Sequence, residues 1–146
     1  MPYQEDIRAA LEALREEEFR AGRFYQPSHL QPSLFGRLFG RPPSKPNRPA
    51  SIREAIRIAD RDATGTRSIL DMEGISESPD YGAVSPVAPE ELRRLLGTDQ
   101  PTRELAAQCE ELFESIDRGQ GIYVITYEQG RPDGIFFAGY SFYSFD

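Results

Sequence analysis

The sequence predicts a small α+β domain in which a C-terminal β-hairpin packs against helices. Apolar residues recur at helical spacing in several segments before residue 119, whereas residues 122–142 carry two β-branched and aromatic runs around a glycine turn. The chain of 146 residues corresponds to one domain, since domains usually hold about 100 to 200 residues. We expect one small, mainly antiparallel sheet and the element order ααβααββ.

Two helices are predicted in the first 60 residues. Residues 1–24 are predicted to be an N-terminal amphipathic helix, because apolar side chains recur near helical spacing and Gly22 can end it. The apolar residues of this helix are Ile7, Ala10, Leu11, Leu14 and Phe19. Ser51 and Glu54 have the spacing of a capping box, which predicts a second helix over residues 52–60.

Residues 25–50 are predicted to form a proline-rich arm or linker. Six prolines remove backbone donors from this segment and disfavour helix in the residues that precede them. Phe35 and Phe39 belong to a short repeat within the arm, LFGRLFG, and we expect these two apolar side chains to anchor it.

The middle of the chain is predicted to hold one strand and two helices. Thr66–Met72 is compatible with a strand, and residues 76–89 are predicted to be a loop because Pro and Gly punctuate them. Pro89–Leu96 is predicted to be a short helix that ends at Gly97. A longer helix is predicted between residues 98 and 119. The apolar stripe of this long helix consists of Leu105, Cys109, Leu112, Phe113 and Ile116.

The predicted hairpin consists of Ile122–Tyr127 and Ile135–Phe142, joined through a turn at Gln129–Pro132. Both faces of these strands are largely apolar. The sheet is therefore expected to be covered on both sides, or covered on one side and used for binding on the other. We expect residues 51–146 to form the α+β core domain.

The net charge of −7 is distributed unevenly along the chain. Residues 51–146 hold 18 Asp and Glu against 9 Lys and Arg, whereas residues 20–50 hold six basic residues and no acidic one. The core domain is thus acidic and the arm is basic. The single cysteine can form no intramolecular disulfide, and neither a signal-peptide pattern nor a membrane-spanning apolar run occurs, so we expect a cytoplasmic protein.

The chain contains few side chains suited to nucleophilic or general-base catalysis. It has one histidine, His29 in the arm, and one cysteine, Cys109 in the apolar stripe of the long helix, where it is expected to be a packing residue. The motifs CxxC, HExxH, GxSxG and GxxxxGK[ST] are missing. We therefore expect a protein that is not an enzyme, without catalytic residues, cofactor or metal ligands.

One segment has the pattern of a calcium-binding loop. Residues 60–71 match the EF-hand template at positions 1, 3, 5, 6, 9 and 12, with Gly65 at the sharp turn. Against this interpretation, Asp71 stands where the template has Glu and Arg67 where it has an apolar residue. Calcium binding by this loop is kept as an alternative function.

A second alternative is binding of nucleic acid by the basic arm. Between residues 20 and 48 arginines alternate with aromatic residues, a composition suited to phosphates and bases. The acidic core domain would repel a polyanion, so the arm is equally suited to lie on its own domain or on a partner.

The preferred hypothesis is a protein-binding module that covers a basic protein partner with its acidic surface. The residues predicted to contact the partner are Glu104, Glu111 and Glu114 on the long helix and Asp80 and Tyr81 in the central loop. Within this class, the small size, the acidity and the lack of catalytic groups are similar to those of bacterial immunity proteins, which neutralise a toxin by covering its active site. This similarity involves no shared motif. Arginine also far outnumbers lysine, which is typical of proteins from GC-rich bacteria.

Overall fold

The computed structural model describes residues 1–25, 48–140 and 142–143. These residues form five α-helices, one 3₁₀ turn and one five-stranded sheet. In chain order the elements are α1 (Ile7–Ala21), α2 (Ile52–Arg61), the 3₁₀ turn (Ile69–Asp71), β1 (Gly74–Ile75), β2 (Ala83–Pro86), α3 (Pro89–Leu96), α4 (Arg103–Gln108), α5 (Glu110–Glu114), β3 (Gly121–Glu128), β4 (Arg131–Gly139) and β5 (Phe142–Tyr143). The predicted α+β class is confirmed.

The strands lie side by side in the order in which they occur along the chain, from β1 to β5. The longest pairing is the antiparallel hairpin of β3 and β4, and β5 continues it antiparallel to β4. On the other side, β1, β2 and β3 are parallel to one another. Among the described residues, none of the helices has the length and apolar character that crossing a bilayer requires.

Hydrophobic clusters cover both faces of the sheet, which agrees with the first of the two arrangements expected from the apolar strand sequences. Ile135 and Phe137 of β4 belong to a first cluster with α1 and the 3₁₀ turn, whereas Phe136 and Ala138 belong to a second cluster with α3, α4 and α5. This alternation follows from the two-residue period of a strand. Burial of a large apolar side chain such as Phe137 stabilises the fold by about 1.5 to 3 kcal/mol.

Helix α1 shares the first cluster with the sheet, because Leu11 and Leu14 on its inner face are 2 % exposed. Asp6 caps the helix by accepting a hydrogen bond from the Ala9 amide at 3.0 Å. The chain before the helix reaches β4, where the amide of Ile135 donates to the carbonyl of Met1 at 2.8 Å. The predicted division into residues 1–24, 25–50 and 51–146 stays a prediction, and most of the arm lies outside the described residues.

The predicted strand at Thr66–Met72 is wrong. These residues form a turn, in which the hydroxyl of Ser68 accepts from the Leu70 amide at 3.1 Å and the side chain of Asp71 accepts from the Thr66 amide. Short polar side chains that bond to nearby backbone compete with strand formation. The strands instead lie at β1 and at β2, which occupies the segment that was predicted to be a loop.

The predicted long helix between residues 98 and 119 is also wrong in its continuity. The helix begins only after Thr102, whose hydroxyl accepts from the Leu105 amide at 3.2 Å, and it is interrupted at Cys109, where φ is −83° and ψ is 98°. Residues six apart on one continuous helix point about 120° away from each other. The interruption allows both Ala106 and Leu112, each fully buried, to face the sheet.

The capping box of α2 is formed, with one difference. The Ser51 hydroxyl accepts from the Glu54 amide at 3.1 Å, as predicted. The carboxylate of Glu54 accepts from the amide of Ala50 at 2.6 Å, although the capping-box pattern places this bond at the serine amide.

Two strand glycines that both lack a positive φ provide a matched test of packing. A Cβ at Gly121 would lie 2.8 Å from the Met72 sulfur and 2.9 Å from Cγ1 of Val84, whereas a Cβ at Gly74 would have no atom within 4 Å. We expect Gly121→Ala to lower the free energy of unfolding by about 1 to 3 kcal/mol through overpacking. Gly74→Ala should leave it unchanged or raise it by up to about 1 kcal/mol. Urea denaturation measures the free energy of unfolding of both variants. Equal values for the two variants would contradict the close packing around Gly121.

Candidate functional site

A groove of about 1080 Å³ lies beside β1 and around one end of the sheet. Five short segments line it: α2 with the loop after it (56–67), residues 71–76, residues 80–83, residues 118–120, and Tyr140 with Phe142. These segments meet because the register places Gly74 beside Ala83, Val84 beside Gly121, and Gly121 beside Gly139. The groove is therefore a product of the sheet topology.

Tyr81 lies on the loop between β1 and β2, and 82 % of its surface is exposed. Its ring nevertheless rests on Gly119, where an added Cβ would lie 2.2 Å from ring carbon Cε2. The same two segments are joined by a hydrogen bond from the Gly82 amide to the Gly119 carbonyl at 2.7 Å. Tyr81 is thus positioned by its neighbours while presenting most of its ring to solvent.

A second exposed aromatic residue, Tyr140, contributes to the same groove. It follows β4 directly, and 64 % of its surface is exposed. The partly buried side chain of Phe142, on the neighbouring β5, also lines the groove. The sequence showed a run of aromatic residues at this end of the chain, but it contained no signal that would place Tyr140 in one groove with Tyr81.

Acidic side chains outnumber basic ones in the groove lining. The acidic residues are Asp60, Asp71, Glu73 and Asp80, and the basic residues are Arg67 and Arg118. Asp80 accepts a hydrogen bond from the amide of Tyr81 at 2.8 Å, which ties its carboxylate to the aromatic residue. The guanidinium of Arg67 lies 5.4 Å from the centre of the Tyr25 ring, a distance suited to a cation–π contact.

Asp71 has a structural role within the groove lining. Its Oδ1 accepts from the Thr66 amide at 2.9 Å and from the Thr66 hydroxyl at 2.7 Å. Thr66 is fully buried and its hydroxyl oxygen also lies 2.9 Å from that of Ser68. A buried polar network of this kind is stable only when all its members are bonded. Asp71 therefore supports the loop that forms one wall of the groove.

Arg15 of α1 contacts the turn that precedes β1. Its Nη2 donates to the carbonyl of Leu70 at 2.9 Å, and its buried Nε has no hydrogen-bond partner among the residues that the structure describes. Burial lowers the pKa of this guanidinium, and the negative charge of Glu73 is the largest influence in the opposite direction. Glu73 is exposed, as are Asp60 and Asp80, and all three line the groove.

The five residues predicted to contact a partner fall into two groups. Asp80 and Tyr81 line the groove. Glu104, Glu111 and Glu114 are exposed on α4 and α5 and do not line it. The hydrogen bonds that Arg94 on the neighbouring α3 donates to Glu91 and, more weakly, the charge of Glu111 raise the pKa of Arg94. The glutamates therefore form a separate surface, the α4–α5 surface.

The structure describes the whole EF-hand-like loop but only the ends of the basic arm. In the EF-hand-like loop, Asp71 bonds to Thr66, and the described part of the chain contains no group of three His, Cys, Asp or Glu side chains that could hold a metal ion. Of the basic arm, Arg23 bonds to Glu18 through two hydrogen bonds of 2.8 Å, and Arg48 donates to the Arg20 carbonyl at 3.3 Å.

Cys109 is half-buried and packs against the second cluster. His29, like Phe35 and Phe39, lies outside the described residues.

The bonds of Asp71 generate a stability prediction. Asp71→Ala removes a charged acceptor from the buried Thr66, so we expect the free energy of unfolding to fall by about 2 to 3 kcal/mol. Asp60→Ala is the matched control, because Asp60 is exposed at the C-terminal end of α2 and its removal should be neutral. Equal losses in the two variants would contradict the role of Asp71. Urea denaturation measures the free energy of unfolding of both variants. In a separate thermal denaturation, a calcium-dependent rise of the wild-type melting temperature would support the EF-hand alternative.

Comparisons of the chain with protein-family models, with curated proteins and with solved structures found no match.

Proposed function

We propose that the protein is a non-enzymatic binding module that recognises a basic protein partner through the groove around Asp80 and Tyr81. One observation carries this proposal. Among the described residues, the large hydrophobic side chains that are exposed are Tyr81, Leu105 and Tyr140, and two of these three line the same groove. Aromatic side chains grouped in one concavity are typical of the centre of a protein interface.

The position of Tyr81 is suited to such a role. Its ring already packs on Gly119, so ordering the side chain on binding has a small entropic cost. A tyrosine also combines a large apolar area with a hydroxyl that can bond to a partner. The ring of Tyr81 can therefore contribute binding energy without rearrangement of the groove.

The charge of the groove supports a basic partner. Asp60 and Asp80 are exposed in a protein whose net charge is −7. Opposite charges on two proteins accelerate their encounter and disfavour partners of the wrong sign. The exposed glutamates of the α4–α5 surface would add to this attraction at a distance.

Within this class, we propose toxin neutralisation in a bacterial cytoplasm as the specific role. A protein of this kind blocks a partner by covering its working surface and needs no catalytic group of its own. The supporting features are the small size, the acidity and the groove with two exposed tyrosines. The experiment uses the product of the adjacent gene as the first candidate partner, with binding measured by calorimetry.

Tyr81→Ala should weaken the affinity for that partner about thirtyfold or more, as expected for an aromatic residue at the centre of an interface. Leu105→Ala is the matched control, because Leu105 is an exposed apolar residue of α4 outside the groove, and its truncation should change the affinity less than about threefold. An equal effect of the two substitutions, or a partner that binds Tyr81→Ala like the wild type, would contradict the proposed site.

Asp80→Asn should slow association with the basic partner and make the rate less sensitive to salt, since it removes one charge from the groove. The asparagine oxygen can still accept from the Tyr81 amide, so the loop should keep its conformation. Stopped-flow association rates at several salt concentrations measure the effect. Glu114→Gln on the α4–α5 surface is the control. A larger effect of this substitution on the association rate would indicate that the partner contacts the α4–α5 surface instead of the groove.

A further inference from the structure

We propose that the basic partner enters the groove as an extended segment that adds to the sheet as a strand beside β1. This inference rests on the proposed function, because it specifies how a partner would occupy the same groove. Addition of a strand to a free sheet edge is a common mode of peptide recognition, in which backbone hydrogen bonds contribute affinity and side-chain pockets contribute specificity.

The first support is the open edge of β1. Among the described residues, β1 pairs with β2 on one side and with no strand on the other. The Ser76 amide donates to the Val84 carbonyl at 3.0 Å, toward β2. Because the bonded residues of a parallel strand alternate, the N–H and C=O of Ile75 point toward the open edge. Residues 73–76 all line the groove.

The second support is the kind of protection on this edge. Exposed edge strands are commonly kept from pairing by short length, charged side chains, proline or a bulge. β1 is two residues long, and the charged residues that flank it are acidic. Here the edge contains Gly74, around which a Cβ would find no atom within 4 Å, so the space above the strand is empty. The flanking residues Glu73 and Glu77 are exposed and acidic. They disfavour a second copy of this chain, whose net charge is −7, and favour a basic strand.

The third support is the position of the side chains around the edge. A strand that covers residues 73–76 would be about 13 Å long at 3.3 Å per residue, and alternate side chains would face the groove. The carboxylates of Asp60 and Asp80 approach the groove from two different elements. Tyr81 and Tyr140 offer exposed rings on which an arginine can stack. We expect a segment with arginine or lysine at alternate positions.

The experiment selects peptides from a displayed library of random linear sequences against the full chain. Strand addition predicts enrichment of sequences in which Arg or Lys alternates with β-branched residues. Synthetic copies of one enriched peptide are then N-methylated either at the odd or at the even amides. One set should abolish binding and the other should be tolerated, because only alternate amides of a strand face its neighbour.

A pair of protein variants tests the edge directly. Gly74→Lys places a long basic side chain in the empty space above β1, and the peptide affinity should fall about tenfold or more, since lysine obstructs strand pairing at an edge and its charge repels a basic peptide. Ser78→Lys is the matched control, because it adds the same charge at an exposed position that does not line the groove. Melting temperatures of both variants show that the fold is retained.

The outcomes separate this inference from the proposed function. An absence of enriched basic peptides overturns strand addition. Strand addition is also overturned if Gly74→Lys and both N-methylated peptide sets keep the wild-type affinity. If Tyr81→Ala still abolishes binding in that case, the groove remains the binding site. Peptides or partner that bind Tyr81→Ala as well as the wild type would contradict the proposed function itself.

Discussion

Alternate side chains of β4 pack into two separate hydrophobic clusters, and the rest of the fold depends on this arrangement. Ile135 and Phe137 face α1, whereas Phe136 and Ala138 face α3, α4 and α5, and all four are at most 2 % exposed. A shift of the strand by one residue would exchange the two sets. Both faces of β4 are apolar, so helices must cover both. Helix α1 covers one face, and α3, α4 and α5 cover the other.

With both faces of the sheet covered, recognition is left to its ends and edges. The groove lies at such a place, beside β1 and around the segments that precede β2 and β3 and follow β4. The strand register therefore holds Tyr81 and Tyr140 in one concavity although they lie far apart in the sequence. The same packing that stabilises the fold thus positions the exposed rings for a partner.

The acidic residues of the groove differ in their roles. Asp71 is bonded to the buried Thr66, so its carboxylate has a structural role. Asp60, Glu73 and Asp80 are exposed, and they are the groove carboxylates best placed to attract a partner through long-range charge.

Local signals in the sequence determined the α+β class, the capped helix α2 and the β3–β4 hairpin, because capping residues, turn residues and β-branched runs act over a few neighbouring positions. They also determined the acidity of residues 51–146 and drew attention to Asp80 and Tyr81. Only the tertiary structure decided the break at Cys109, the parallel strands β1 and β2, and the meeting of Tyr81 with Tyr140 in one groove. These features depend on packing between segments that are distant along the chain, and residue spacing alone carries no information about such contacts.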